Sequence, residues 1–153
     1  MSGRWGDIEQ VAHKCIAAGA SAVTLMDTPG PALHLDCATG QSVLTGNTSH
    51  GWGFGWLSGP PILPLTLAYV AKLRRAYPKL PINGVGGVFT GEAALEMFLA
   101  GATTVSVQSA VIAQGPEAIT RIRQELDRLL EAHWGTLEQA RGAAQQYLTR
   151  RDG

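Results

Sequence analysis

The chain has 153 residues, 45% hydrophobic and 16% charged. That is enough apolar material for one domain with a core, and too much for a disordered segment. Lys plus Arg and Asp plus Glu number 12 each, so the formal net charge is zero, with neither the basic footprint of a nucleic-acid binder nor an attraction to anionic membranes.

No apolar run is long enough to span a bilayer, and the N-terminus lacks a signal peptide's apolar stretch, so the cytoplasm is the expected compartment. Ile8, Val11, Ala12, Cys15 and Ile16 recur at helical spacing, with Gly19 as the stop. Cys15 falls on the apolar face and is expected as a buried thiol. It and Cys37 are too few for a disulfide framework. Ser21–Met26 reads as a strand buried on both faces, ended by Asp27, Thr28, Pro29 and Gly30. Residues 32–45 read as a β-hairpin turning at Ala38-Thr39-Gly40. The glycine- and tryptophan-rich stretch 46–61 reads as a working loop, in which His50 is a candidate ligand contact and Trp52 and Trp56 could stack on a planar ligand or seal an interface.

A second helix is expected with Leu65, Tyr69, Leu73 and Ala76 on one face and Pro78 closing it. Lys72, Arg74 and Arg75 read as its solvated side. Pro81–Val85 is the next strand and runs into Gly84-Val-Gly-Gly87. Thr90 is the expected N-cap of a helix bearing Leu95, Phe98 and Leu99, which Gly101 stops. Thr103–Val107 is a third strand, and helices at about 116–132 and 136–149 complete the chain. The segment Ala18-Gly-Ala-Ser-Ala-Val-Thr-Leu25 is echoed by Ala100-Gly-Ala-Thr-Thr-Val-Ser-Val107. Strands alternating with helices, and an echo of this kind, predict repeated βα units on a parallel sheet.

Parallel α/β folds bind ligands beyond the carboxyl ends of their strands. That rule selects Asp27 and Thr28, Gly84–Gly87, and Gln108 with Ser109, to which the long loop adds Ser58 and Gly59. Gly86 and Gly87 precede a capped helix, where backbone N–H groups can approach a phosphate. Ser109 could add a hydroxyl from the adjacent strand end. Taken alone, Gly84-Val-Gly-Gly87 is equally explained by a tight turn. His13 and His133 read as helix-surface or packing residues, and no Cys/His/Asp spacing matches a metal site.

Taken in order, Asp27-Thr28, Leu57-Ser-Gly-Pro60, Gly84-Val-Gly-Gly87 and Val105–Ala110 resemble the second half of the dihydroorotate dehydrogenase family, which includes the flavin domain of dihydropyrimidine dehydrogenases. The likeness extends to Gly135-Thr-Leu-Glu-Gln-Ala-Arg-Gly142. It implies three to four C-terminal units of a (β/α)8 TIM barrel, as a single partial-barrel domain over 1–153 with the hairpin as an insertion. It also implies an FMN site at Ser58, Gly59, Gly86, Gly87, Gln108 and Ser109, with Asp27 and Thr28 at the flavin and substrate. The implied activity is oxidation or reduction at a CH–CH group of a cyclic, pyrimidine-like substrate.

Four positions depart from the family pattern. Asp27 stands for an asparagine, Gln108 and Trp56 for glycines, and Leu63 for a basic residue. A full barrel needs about 250 residues, and the family's catalytic cysteine or serine and its flavin-side lysine are expected outside this stretch, since neither Cys15 nor Cys37 is placed to act as that base. A second subunit, a further copy of the chain or additional chain is therefore expected to complete the barrel. The alternatives are a non-catalytic half-barrel assembly subunit with a decayed flavin site, and a sugar-phosphate enzyme using similar turns.

Overall fold

A computed structural model of the chain describes residues 8–26, 28–44 and 53–148. Helix α1 spans Ile8–Ala17 and ends at Gly19, whose φ of 101° only glycine adopts freely. The Ala20 N–H then bonds back to the Cys15 carbonyl at 3.0 Å. Helix α3, Gly91–Ala100, ends in the same way: Gly101 has φ 117°, and the Ala102 N–H reaches the Met97 carbonyl at 2.9 Å. The sequence echo is thus one cap built twice, each copy feeding a strand.

Those strands are β1, Val23–Leu25, and β3, Thr104–Ser106. β2, Ile82–Val85, lies between them in a parallel sheet of order β1-β2-β3. Thr24 pairs with Asn83, and Asn83 with Thr104. The helix-side face of the sheet is the core. Ile82, Val70, Leu73, Met97 and Ala102 are completely buried there, and burial of a side chain such as Ile82 contributes roughly 2 kcal/mol. A Cβ on Gly84 would lie 2.9 Å from the Met97 sulfur, so α3 packs directly onto the central strand. The arrangement is mixed α/β, compatible with part of a barrel.

Helix α2, Leu63–Ala76, follows a 3-10 turn at Pro60–Ile62, where prolines in the first turn sacrifice no helical hydrogen bond. Its buried residues are Thr66, Val70 and Leu73, whereas Leu65 and Ala76 are exposed. The expected face was rotated because buried Thr66 holds the place of an apolar residue by donating its hydroxyl to the Ile62 carbonyl at 3.2 Å. Arg74 likewise departs from a solvated role. Its guanidinium donates to the carbonyls of Gly101 and Pro78 at 2.8 and 2.6 Å and to the Thr103 hydroxyl at 3.2 Å.

Thr90 caps α3 as expected, accepting from the Ala93 N–H at 3.1 Å. A short helix α4, Ser109–Gln114, precedes α5, Glu117–His133. The last expected helix is instead the single turn α6, Leu137–Ala140, closed by a Thr136–Gln139 capping box, and then a 3-10 turn at Ala143–Gln146. Gly142, with φ 74°, separates the two.

Three other expectations change. β1 is a sheet edge with Thr24 exposed, so burial is confined to its end, at Leu25 and the following Met26. Cys15 is exposed, because α1 touches the domain chiefly through Ala12. The segment expected as a hairpin makes isolated antiparallel bridges, Leu35 to Ser42 and Ala32 to Gly55. Its turn is organised by the Asp36 carboxylate, which accepts from the Thr39 N–H and hydroxyl and the Ala38 N–H. These bonds hold its pKa below the ordinary value.

Candidate functional site

At the carboxyl ends of the three strands the chain leaves an open cleft of about 280 Å³. Thr28 reaches it from beyond β1, Gly86 and Gly87 from beyond β2, and Gln108 and Ser109 from beyond β3. Ser58 closes one side from the loop before α2. The geometry therefore gathers candidates that lie up to 81 positions apart in the chain, counting from Thr28 to Ser109.

Gly59 stands beside the cleft with φ 76°, and a Cβ there would approach the Phe89 ring at 3.7 Å. Asp27, His50 and Trp52 lie outside the described residues. Trp56 packs its indole on the backbone of Gly30. Leu63 supports the glycine turn rather than lining the cleft: a Cβ on Gly87 would lie 2.7 Å from the Leu63 N and Cα.

The donor set is neutral. Hydroxyls of Thr28, Ser58 and Ser109 border the space, and no charged side chain lines it among the described residues. The Gly87 N–H donates to no backbone oxygen among the described residues. Gly86 and Gly87, with φ 116° and 87°, turn the chain sharply between β2 and α3. Backbone N–H groups at such a turn, together with nearby hydroxyls, suit a phosphate group, whose oxygens only accept hydrogen bonds. No group of His, Cys, Asp and Glu among the described residues could hold a metal ion. No helix among them is long and apolar enough to cross a membrane.

Two polar cleft residues were missed in the sequence, Thr24 and Ser106, beside the apolar Met26, Ile62 and Val88. Thr24 and Ser106 lie within strands rather than beyond them. The signal was available in Thr104-Val-Ser-Val107, whose alternation gives β3 one polar face.

The sequence profile described as dihydroorotate dehydrogenase matches residues 7–130. The chain belongs to the dihydroorotate dehydrogenase family. Among its relatives is the dihydroorotate dehydrogenase B (NAD(+)) catalytic subunit of Methanothermobacter thermautotrophicus, 34% identical over 126 residues, or 82% of this chain and 39% of that protein. The Geobacter sulfurreducens protein of the same name is 40% identical over 125 residues, covering 81% of this chain and 38% of its own length. That of Methanopyrus kandleri is 41% identical over 102 residues, 66% of this chain and 30% of its own. The chain thus spans about two fifths or less of these dihydroorotate dehydrogenases.

Proposed function

We propose that this chain is the FMN-binding portion of a dihydroorotate-dehydrogenase-like oxidoreductase acting at a CH–CH group of a cyclic, pyrimidine-like substrate. The observation that carries this reading is the convergence of Gly86, Gly87, Ser58, Ser109 and Thr28 on one cleft at the strand ends. In this reading the Gly87 N–H and the Ser58 and Ser109 hydroxyls hold the phosphate, and Gly59 shapes the loop that presents Ser58. Thr28 and Asp27 approach the ring and the substrate. FMN, when bound, supplies the hydride-transfer chemistry.

Among the described residues, no side chain lining the cleft is a general base of useful strength at neutral pH. The reading therefore assigns proton transfer to a group beyond those residues. Among the described residues no strand pairs with the outer edge of β1 or of β3, and Ile112 on α4 is 79% exposed. Open strand edges and exposed apolar side chains favour completion by further βα units, from a second subunit, another copy or additional chain. The relatives named as catalytic subunits fit the same demand.

The test is to purify the chain with whatever copurifies, add FMN and follow flavin absorbance and fluorescence. Retained flavin is expected. A protein that binds none, with or without its partner, overturns the proposal. A half-barrel assembly subunit with a decayed site is the second reading. It is favoured by Gln108, which lines the cleft where the resemblance places glycine.

A further inference from the structure

The sheet face turned away from the helices carries a polar row. Thr24, Asn83 and Thr104 are register partners across all three strands, and Ser106 follows Thr104 on the same side. A parallel sheet covered on both faces is ordinarily apolar throughout. Here the Thr104 hydroxyl donates to Asn83 Oδ1 at 3.0 Å, which orients the amide. Asn83 Nδ2 then donates to Ser106 Oγ at 3.0 Å, and the Ser106 hydroxyl donates back to Asn83 Oδ1 at 3.2 Å. Ser106 and Thr24 both line the cleft, whereas Asn83 stands behind Ser106.

A ligand that accepts the Ser106 proton would leave Oγ still held by Asn83 Nδ2. The hydroxyl can therefore exchange its longer bond to Asn83 Oδ1 for a ligand and keep the anchor from Nδ2. Ser106 lies two residues before Gln108 at the mouth, roughly 6–7 Å down the strand. That is the reach of a few carbons from a phosphate at Gly87 and Ser109. The Ser106 hydroxyl, backed by the amide, and the Thr24 hydroxyl can each donate and accept, which matches the hydroxyl groups of a chain attached to that phosphate.

We propose that Ser106 and Thr24 form a polyol-binding floor below the phosphate turn, with Asn83 as the residue that positions Ser106. The ligand class is a polyol phosphate, whether the ribityl phosphate of FMN or a free five-carbon sugar phosphate. The inference rests on the phosphate reading of the cleft.

The test is calorimetric titration of the purified protein, with any copurifying partner, using FMN, ribitol 5-phosphate and inorganic phosphate. Ser106→Ala is expected to weaken FMN about tenfold and to leave inorganic phosphate unchanged. Ser106→Thr is expected to restore binding. Asn83→Ala should cost about as much as Ser106→Ala, and the double variant little more than either, because the two act as one unit. Circular dichroism establishes that each variant is folded.

FMN affinity unchanged in folded Ser106→Ala overturns the floor alone and leaves the phosphate reading standing. Wild-type protein that binds neither polyol phosphate overturns both. Ribitol 5-phosphate bound as tightly as FMN, and weakened alike by Ser106→Ala, supports the floor while overturning the flavin as its source. Additive effects of Asn83→Ala and Ser106→Ala overturn the positioning role.

Discussion

Glu125 of α5 accepts a hydrogen bond from the backbone N–H of Gly91 at 2.7 Å, so one helix closes the start of another. Its second oxygen takes Arg121 at 2.9 Å, and Arg121 in turn donates to the Phe89 carbonyl at 3.1 Å. The glycine is obligatory, because a Cβ at Gly91 would fall on the Glu125 and Leu126 backbone. This junction braces α3, the helix that follows the Gly86–Gly87 turn.

Glu125→Gln is expected to destabilise the protein by about 1 kcal/mol at neutral pH, since an amide oxygen is a weaker partner for a helix N-terminus. The Gly91 N–H lowers the Glu125 pKa; partial burial opposes this, and Arg121 and Arg128 add to the lowering. A folded-state pKa below the unfolded one gives stability that is present above the unfolded value, about 4.3, and lost as pH falls through the folded one. The gap between wild type and variant should therefore narrow from neutral pH towards about pH 3. Urea denaturation across that range measures it.

Arg74 ties the end of α2 to the turn between α3 and β3. Its three donors bond separate acceptors, and burial, with the charge of Arg141, lowers its pKa without approaching deprotonation at neutral pH. Arg74→Met should keep the packed stem and strand these acceptors, at a cost of about 2 kcal/mol. Arg74→Lys should recover less than half of that, because an ammonium cannot span the same three positions. Thermal unfolding at fixed pH distinguishes the two variants.

What the sequence disclosed and what it hid follow from the range of the interactions involved. The Gly19 and Gly101 stops, the Thr90 cap and the strand ends are written in a few adjacent residues, and all are found. The cleft was legible because its residues stand at strand ends, and topology gathers such ends. The role of Arg74 was hidden because two of its three partners lie 27 and 29 residues away. The exposure of Cys15 was hidden because Ala12 is the one residue of α1 that becomes buried, whatever its periodicity. Ser106 was passed over because attention to strand ends neglects the strand's own polar face.

Gly87 and Gly59 share a positive φ but differ in surroundings. At Gly87 a Cβ would meet the Leu63 backbone at 2.7 Å, whereas at Gly59 it meets only the Phe89 ring at 3.7 Å. Gly59→Ala is expected to cost about 2 kcal/mol, from the backbone conformation alone, because φ 76° with ψ −163° is a region essentially reserved to glycine. Gly87→Ala should cost about 3 kcal/mol or more, because α2 must shift away from the turn. Chemical denaturation orders the pair, and equal costs would mean that the Leu63 contact yields easily.

Gln108 separates the two functional readings. Its φ of −126° needs no glycine, so Gln108→Ala shortens a side chain at the cleft lining without loosening the backbone. If a phosphate docks between Gly87 and Ser109, clearing this side chain widens its seat and frees polar groups that the amide can occupy. FMN affinity should then rise about threefold to tenfold, while riboflavin, which lacks the phosphate, changes little. A phosphate-dependent gain requires a working subsite that Gln108 obstructs. FMN and riboflavin responding alike would place the phosphate elsewhere, and no flavin binding by either protein would favour the assembly subunit.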